Sequence, residues 1–295
     1  MQLHATRPFF AAPDIEPAVR TVCTALGIAR FARESQVLAY AGPIGLTRDA
    51  LEALVSSGVL RRGLFHPDPT AARAEPFLAL GTLGARMLSE VTGLAVKGVG
   101  PAAMKRGSQK RAHDVDVGDF CLAVLALSRE DQVKVLGLEA DPRKVPVCLS
   151  AIKSRRGPER IALQPDVSVL SEGPHGPVAL MVEIDRGTIG LPKMADKYAS
   201  YLAWKEAGGP EKDLAVRGVR VLTVAPSDRR ILALHTAALK ANEGRRSGFL
   251  LFASRDMLAE PGTLTAPCAR PLGNQPDQMV PVFAGSEDSD LHHAA

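Results

Sequence analysis

The sequence predicts an α+β chain in two parts: a small helical N-terminal domain closed by a two-stranded ribbon, then an α/β domain around a mixed central sheet. Three observations predict it. Short amphipathic segments fill the first part and are followed by two β-compatible runs. From about residue 109 onward, apolar runs alternate with longer helical patterns. One of those runs, Pro177–Asp185 (PVALMVEID), is nearly continuous in apolar character, as in a central strand buried on both faces.

The chain has 295 residues, 46% hydrophobic and 23% charged, enough for a packed core and too apolar for wholesale disorder. No apolar run reaches the roughly 20 residues that a membrane helix needs. The first ten residues, MQLHATRPFF, lack the apolar core of a signal peptide. The cysteines (Cys23, Cys121, Cys148, Cys268) are far apart and form no C-x-x-C pair, which argues against zinc or a disulfide framework. Reduced thiols in a cytoplasmic protein are expected. Residues 1–110 hold 13 Lys/Arg against 8 Asp/Glu, and the remainder 23 against 24, so the positive excess lies in the first part. That suits a phosphate-facing domain, and equally a solvated basic surface.

Residues 1–16 read as a loose arm. A first helix is expected from Ile15 to Phe31 on the pattern Val19, Val22, Leu26, and a second from Arg33 to Ala41, ended by Gly42-Pro43. Thr47 can cap a third, with Asp49 in its first turn and Gly58 past its end. Val59–Phe65 and Pro76–Leu80 read as strands around a turn-rich insert, His66–Glu75, and Thr82–Val91 as a closing helix. Three helices, a ribbon and a further helix make a winged helix-turn-helix over residues 15–96. The string LEALVSSGVLRRG…FLALGTLGARML resembles that fold in bacterial DNA-binding proteins. Arg48, Arg61, Arg62 and Arg73 are its candidate DNA contacts. Gly98–Gly107 reads as a linker, placed at residues 97–108, and Lys105, Arg106, Lys110 and Arg111 around it can neutralise phosphates or lie on a solvated hinge.

The second domain is expected over residues 109–258. Its helices are Gln109–Arg129, Leu191–Ala207 and Asp228–Asn242. Its strands are Gln132–Glu139, Ile161–Leu170, Pro177–Asp185, Gly218–Val224 and Gly248–Phe252. Residues 259–295, rich in Pro, Gly and Asp, read as a flexible tail. Tyr198, Tyr201 and Trp204 share one helical face and fit core packing better than a base-stacking platform. Asp114, Asp116 and Asp119 form an acidic helical stripe, more in keeping with a solvated face, with Asp119 the one to watch. No phosphate-binding loop, dinucleotide fingerprint or G-x-S-x-G elbow is present.

The sharpest chemical signal is Pro165-Asp166, followed 17 residues later by Glu183-Ile184-Asp185. Neighbouring antiparallel strands bring carboxylates within about 5 Å of one another. Period two puts Glu183 and Asp185 on one face. Clustered carboxylates repel unless cations neutralise them, and oxygen ligands of this kind suit Mg²⁺ or Mn²⁺. Ion pairs with Arg186, Lys193 or Lys197 are the alternative. Because Glu183 and Asp185 end a buried apolar strand, something positive must sit beside them: a metal, a lysine or arginine, or a phosphate.

The arrangement PDV…VEIDRGT…K…KYASYLAWKEAG resembles the replication-relaxation family of bacterial plasmids and integrative elements. The resemblance runs over roughly residues 20–253. It rests on His113, Pro165-Asp166, Glu183-Ile184-Asp185-Arg186-Gly187-Thr188, Lys197 and Tyr198. It implies an N-terminal winged helix followed by a PD-(D/E)XK nuclease-like domain, and an association with plasmid replication, DNA relaxation and mobilisation. It also implies a catalytic set of Asp166, Glu183, Asp185, Lys197 and His113, with Asp166, Glu183 and Asp185 as metal ligands for Mg²⁺ or Mn²⁺. The departure is Asp185, which stands where the superfamily's lysine usually lies; Lys197, on the next helix, is its candidate replacement or the neutralising partner of Asp185. Two functions are therefore expected: a metal-dependent DNA nickase or nuclease, or an inactive DNA-binding regulator or relaxase accessory. Double-stranded DNA is the expected partner, then a relaxase or replication protein and a second copy of the chain, with no membrane.

Overall fold

The computed structural model describes residues 17–67, 73–100, 104, 108–140, 152–154, 157–159, 163–173, 175–216, 218–259, 261–273 and 278–283. The chain divides into two compact units between Ala126 and Leu127.

The first unit holds α1 (Pro17–Ala29), β1 (Phe31–Arg33), α2 (Glu34–Ala41), α3 (Arg48–Ser56), β2 (Leu60–Phe65), β3 (Glu75–Leu80) and α4 (Thr82–Thr92). It also holds most of α5 (Ser108–Arg129). Thr47 caps α3, its hydroxyl accepting from the Ala50 amide at 3.1 Å. Val22, Leu26, Val37, Leu51, Leu60, Leu78 and Leu88 form the core between helices and ribbon.

The expected first helix ends two residues early, at Ala29. Arg30 turns the chain with φ 65°, and Phe31–Arg33 pair antiparallel with Phe77–Ala79, giving a three-stranded sheet in the order β1-β3-β2. Three residues are too few to show strand periodicity in sequence.

The boundary also differs from expectation. Helix α5 belongs to the first unit as far as Ala126, because Ala112, Val115, Leu122 and Ala126 pack into that unit's apolar clusters. Gly118 makes this possible: a Cβ there would lie 1.5 Å from the Phe31 carbonyl oxygen. A mid-helix glycine costs about 1 kcal/mol relative to alanine, and here it admits the backbone of β1.

The second unit holds a six-stranded mixed sheet in the order β11-β10-β9-β8-β7-β4. The strands are β4 (Val135–Ala140), β7 (Val167–Gly173), β8 (Gly176–Ile184), β9 (Gly218–Ala225), β10 (Ser247–Ser254) and β11 (Arg270–Leu272). A separate hairpin, β5 (Ile152–Ser154) with β6 (Gly157–Glu159), was not expected from sequence. β4, β7 and β8 run antiparallel in a meander; β8, β9 and β10 are parallel, joined by α6 (Leu191–Glu206) and α7 (Asp228–Ala241). The two helices pack against each other and against the sheet. Tyr198, Tyr201 and Trp204 are all buried in that layer, as the core reading expects.

The described residues of the stretch expected as a tail include packed segments. β11 adds to the edge of β10, and Leu264, Ala269, Leu272, Val282 and Phe283 are buried. Arg220 donates to the carbonyls of Pro281 and Val282 at 3.1 and 3.4 Å. Proline and glycine spacing hid these apolar anchors. Among the described residues, no helix is long and apolar enough to cross a membrane.

Candidate functional site

The site lies at the carboxyl ends of the parallel strands β8 and β9, where helices begin and side chains converge, as in other α/β sheets. Antiparallel pairing of Val167 with Val182 sets Asp166 beside the end of β8. The Asp166 amide donates to the Val182 carbonyl at 2.8 Å, and its carboxylate accepts from the Ile184 amide at 2.7 Å. The expected juxtaposition of the two strands is present.

Glu183 and Asp185 are both buried and both face the α6–α7 layer. On α6, Lys197 and Tyr201 stand four residues apart and so share a face. Lys197 Nζ pairs with one oxygen of Glu183 and donates to the Gln164 carbonyl at 3.3 Å, while the Tyr201 hydroxyl donates to the other oxygen at 2.6 Å. Burial pushes the Glu183 carboxyl up to about 7; the Lys197 ammonium opposes this and the Asp166 charge adds to it. Burial and the Glu183 charge likewise push the Tyr201 phenol upward, keeping it a neutral donor. Tyr198 bonds to Thr223 at 3.1 Å, and Thr223 stands opposite Glu183 in the parallel register.

The partner of Asp185 is Arg230, not Lys197. Arg230 Nε and Nη2 reach the two oxygens of Asp185 at 2.7 and 3.0 Å, a bidentate pair. Nη2 also donates to the Ile189 carbonyl at 2.6 Å, and the Gly187 amide to Asp185 at 3.1 Å. Arg230 is in the first turn of α7, where Ser227 caps the helix by accepting from the Arg230 amide at 3.3 Å. Sequence reasoning missed Arg230. The only clue was a capped helix start following the next parallel strand, which must return to the same sheet end.

The chain's own donors already meet most of these oxygens. Glu183 and Asp185 have both carboxylate oxygens engaged by the chain's own donors, and one oxygen of Asp166 takes a backbone amide. Among the described residues, no group of three or more His, Cys, Asp or Glu side chains is arranged to hold a metal ion. Of the expected metal set, Glu183 and Asp185 take part in ion pairs and Asp166 holds a backbone amide. The physical reason is supply: Lys197 and Arg230 already give each buried acid a positive neighbour. His113 is half-buried on α5, in the first unit, whereas the acids belong to the second.

The expected DNA-contacting arginines divide. Arg48, at the start of α3, is exposed, as are Arg73 and Lys110, and Arg61 on β2 is half-buried. Arg62 is held by Glu34 at 2.6 Å and by both oxygens of Glu52 at 2.6 and 2.9 Å. Arg111 is a correction: it is 2% exposed and lies over the rings of Phe31 and Phe77, 4.0 and 4.9 Å from their centroids. Its guanidinium lies over aromatic rings in the core and presents no surface for a phosphate. Lys105 and Arg106 lie outside the described residues.

The acidic stripe of α5 is also not a solvated face. Asp116 and Asp119 are buried and converge on Arg33. Cys23 and Cys121 are buried free thiols, each pushed up to about 12 by burial, and Cys148 lies outside the described residues.

Fold and site together define an α+β protein whose mixed sheet gathers an Asp–Glu–Lys group at its carboxyl end. The replication-relaxation family model matches residues 24–219, more than half of the chain, and the chain belongs to that family. Neither the curated proteins nor the solved structures give a significant match.

Proposed function

We propose that the chain is a DNA-binding protein of plasmid or mobile-element replication, relaxation or mobilisation. Its first unit reads duplex DNA as a winged helix, and its second is a PD-(D/E)XK-like scaffold that does not cut. Support for the first unit comes from its element order, helix–strand–helix–helix–ribbon, with Arg48 exposed at the start of α3 and Arg61 on the ribbon. The winged-helix assignment places α3 in the major groove. The observation that carries the non-cutting reading is the engagement of Glu183 and Asp185 by Lys197, Tyr201 and Arg230. A scaffold of this kind would take a relaxase, a replication protein or a second copy of the chain.

One observation favours a second reading. Asp166, Glu183 and Lys197 do stand together, and a carboxyl at about 7 changes protonation readily. A Mg²⁺- or Mn²⁺-dependent nickase would use those residues, with Asp185 as a further member.

Supercoiled plasmid incubated with the chain and Mg²⁺ or Mn²⁺ separates the readings. Retardation in a gel without nicking is the expected result. Nicking that disappears in Glu183→Ala would establish the enzyme instead; an absence of retardation would remove DNA binding altogether, and retardation that Arg48→Ala and Arg61→Ala leave unchanged would remove the winged-helix contact.

A further inference from the structure

Buried charge in the first unit is concentrated at a place that neither the helix α3 nor the carboxylate site explains. Arg33, the last residue of β1, directs its guanidinium to three acids. Nη2 donates to Asp116 at 2.8 Å, Nη1 pairs with Asp119, and Nε donates to Glu75 at 3.1 Å. The Arg33 backbone amide also donates to Asp119, at 2.9 Å. The guanidinium carbon stands 5.3 Å from the centre of the Phe65 ring.

The geometry of the ribbon makes these partners significant. Phe65 ends β2, Glu75 begins β3, and the two are the last registered pair of the ladder. Arg33 therefore touches both roots of the segment between the strands. Its other two partners, Asp116 and Asp119, are one turn apart on α5 and almost fully buried. Gly118 between them lets α5 close on the backbone of β1. The planar fork of arginine can serve several acceptors in fixed directions; a lysine ammonium lacks that planar fork. Burying a cation between two carboxylates is seldom the most stable solution for a core, so its use here calls for a positional explanation.

We propose that Arg33 is a positioning residue: it clasps both roots of the β2–β3 ribbon to α5 and so sets the angle at which the ribbon meets DNA. The proposal rests on the reading of that ribbon as a DNA-contacting wing. Glu75 is the arm that can be cut without opening the core, since its side chain is 46% exposed while Asp116 and Asp119 are buried.

The test compares the full chain with Glu75→Gln and Arg33→Lys. Hydrogen exchange is read over residues 60–65 and 75–80, and affinity for a short labelled duplex is read at two salt concentrations. Glu75→Gln is expected to leave the thermal midpoint unchanged. It should speed exchange in the ribbon several-fold and weaken duplex binding by about five- to tenfold, with a shallower salt dependence because phosphate contacts are lost. Arg33→Lys keeps the charge and should give the same pattern or a stronger one. Unchanged ribbon exchange in Glu75→Gln would overturn the clasp. Faster exchange with unchanged affinity would overturn its role in positioning. If the wild-type chain binds no duplex, the wing reading fails and the positioning role with it, while the exchange arm still decides whether Arg33 holds the ribbon.

Discussion

Two clusters in this protein each set buried acids around a single cation and differ in access. In the first unit, Asp116 and Asp119 share Arg33; in the second, Asp166 and Glu183 lie beside Lys197. In each, burial lifts one carboxyl, Asp119 or Glu183, to about 7, against the pull of its cation. The Arg33 cluster is closed, with the guanidinium spread over three acids and against a ring. The Lys197 side chain is 30% exposed, so solvent or another molecule can compete for it. A single cation among acids thus makes a fixed joint in one place and an approachable site in the other. A cation's anchoring, more than the number of acids around it, separates structure from candidate chemistry.

The comparison can be broken most directly at its rigid end. Arg33→Met strands two buried acids and is expected to cost about 3–5 kcal/mol in urea unfolding; a loss under about 1 kcal/mol would show that the cluster is not a joint. Gly118→Ala tests the same joint without touching charge. The added methyl would meet the Phe31 carbonyl, and a loss of about 3 kcal/mol is expected in the same assay. Arg230→Met strands only Asp185, and a loss of about 3 kcal/mol is expected.

Protonation sharpens the comparison further. A carboxyl with a raised folded pKa binds its proton more tightly in the folded state. Its favourable contribution is therefore complete below its unfolded pKa of about 4. It is lost as pH rises toward about 7. Unfolding measured from pH 4 to 8 should show Glu183→Gln and Asp119→Asn each losing less stability than wild type over that window. The difference for Glu183 should grow in high salt, because screening the part-exposed Lys197 weakens the pull that opposes the rise. The smallest effect is expected at the surface: Arg62→Ala, which frees Glu34 and Glu52, should change stability by at most about 1 kcal/mol.

Sequence periodicity and motif spacing were enough to place most helices and sheet strands. They also placed Asp166 and Glu183 on adjacent strands, and Lys197 on the following helix. The burial of Tyr198, Tyr201 and Trp204 was legible for the same reason, helical spacing on one face. Local pattern could not reveal β1, which is three residues long, or assign α5 to the first unit. Nor could it reveal that Arg111 lies over Phe31 and Phe77. Apolar anchors such as Leu264 and Val282 were hidden by their Pro- and Gly-rich surroundings.

The sequence by itself determined the order of elements and the acids that end a buried strand, because both follow from short-range period and composition. Only the tertiary structure decided which cation each acid received. Arg33 is 86 residues from Asp119, and Arg230 is 45 from Asp185. Such pairings depend on where helices return to a sheet. Charge neutralisation acts through space, and a linear pattern carries no distance between segments until they pack.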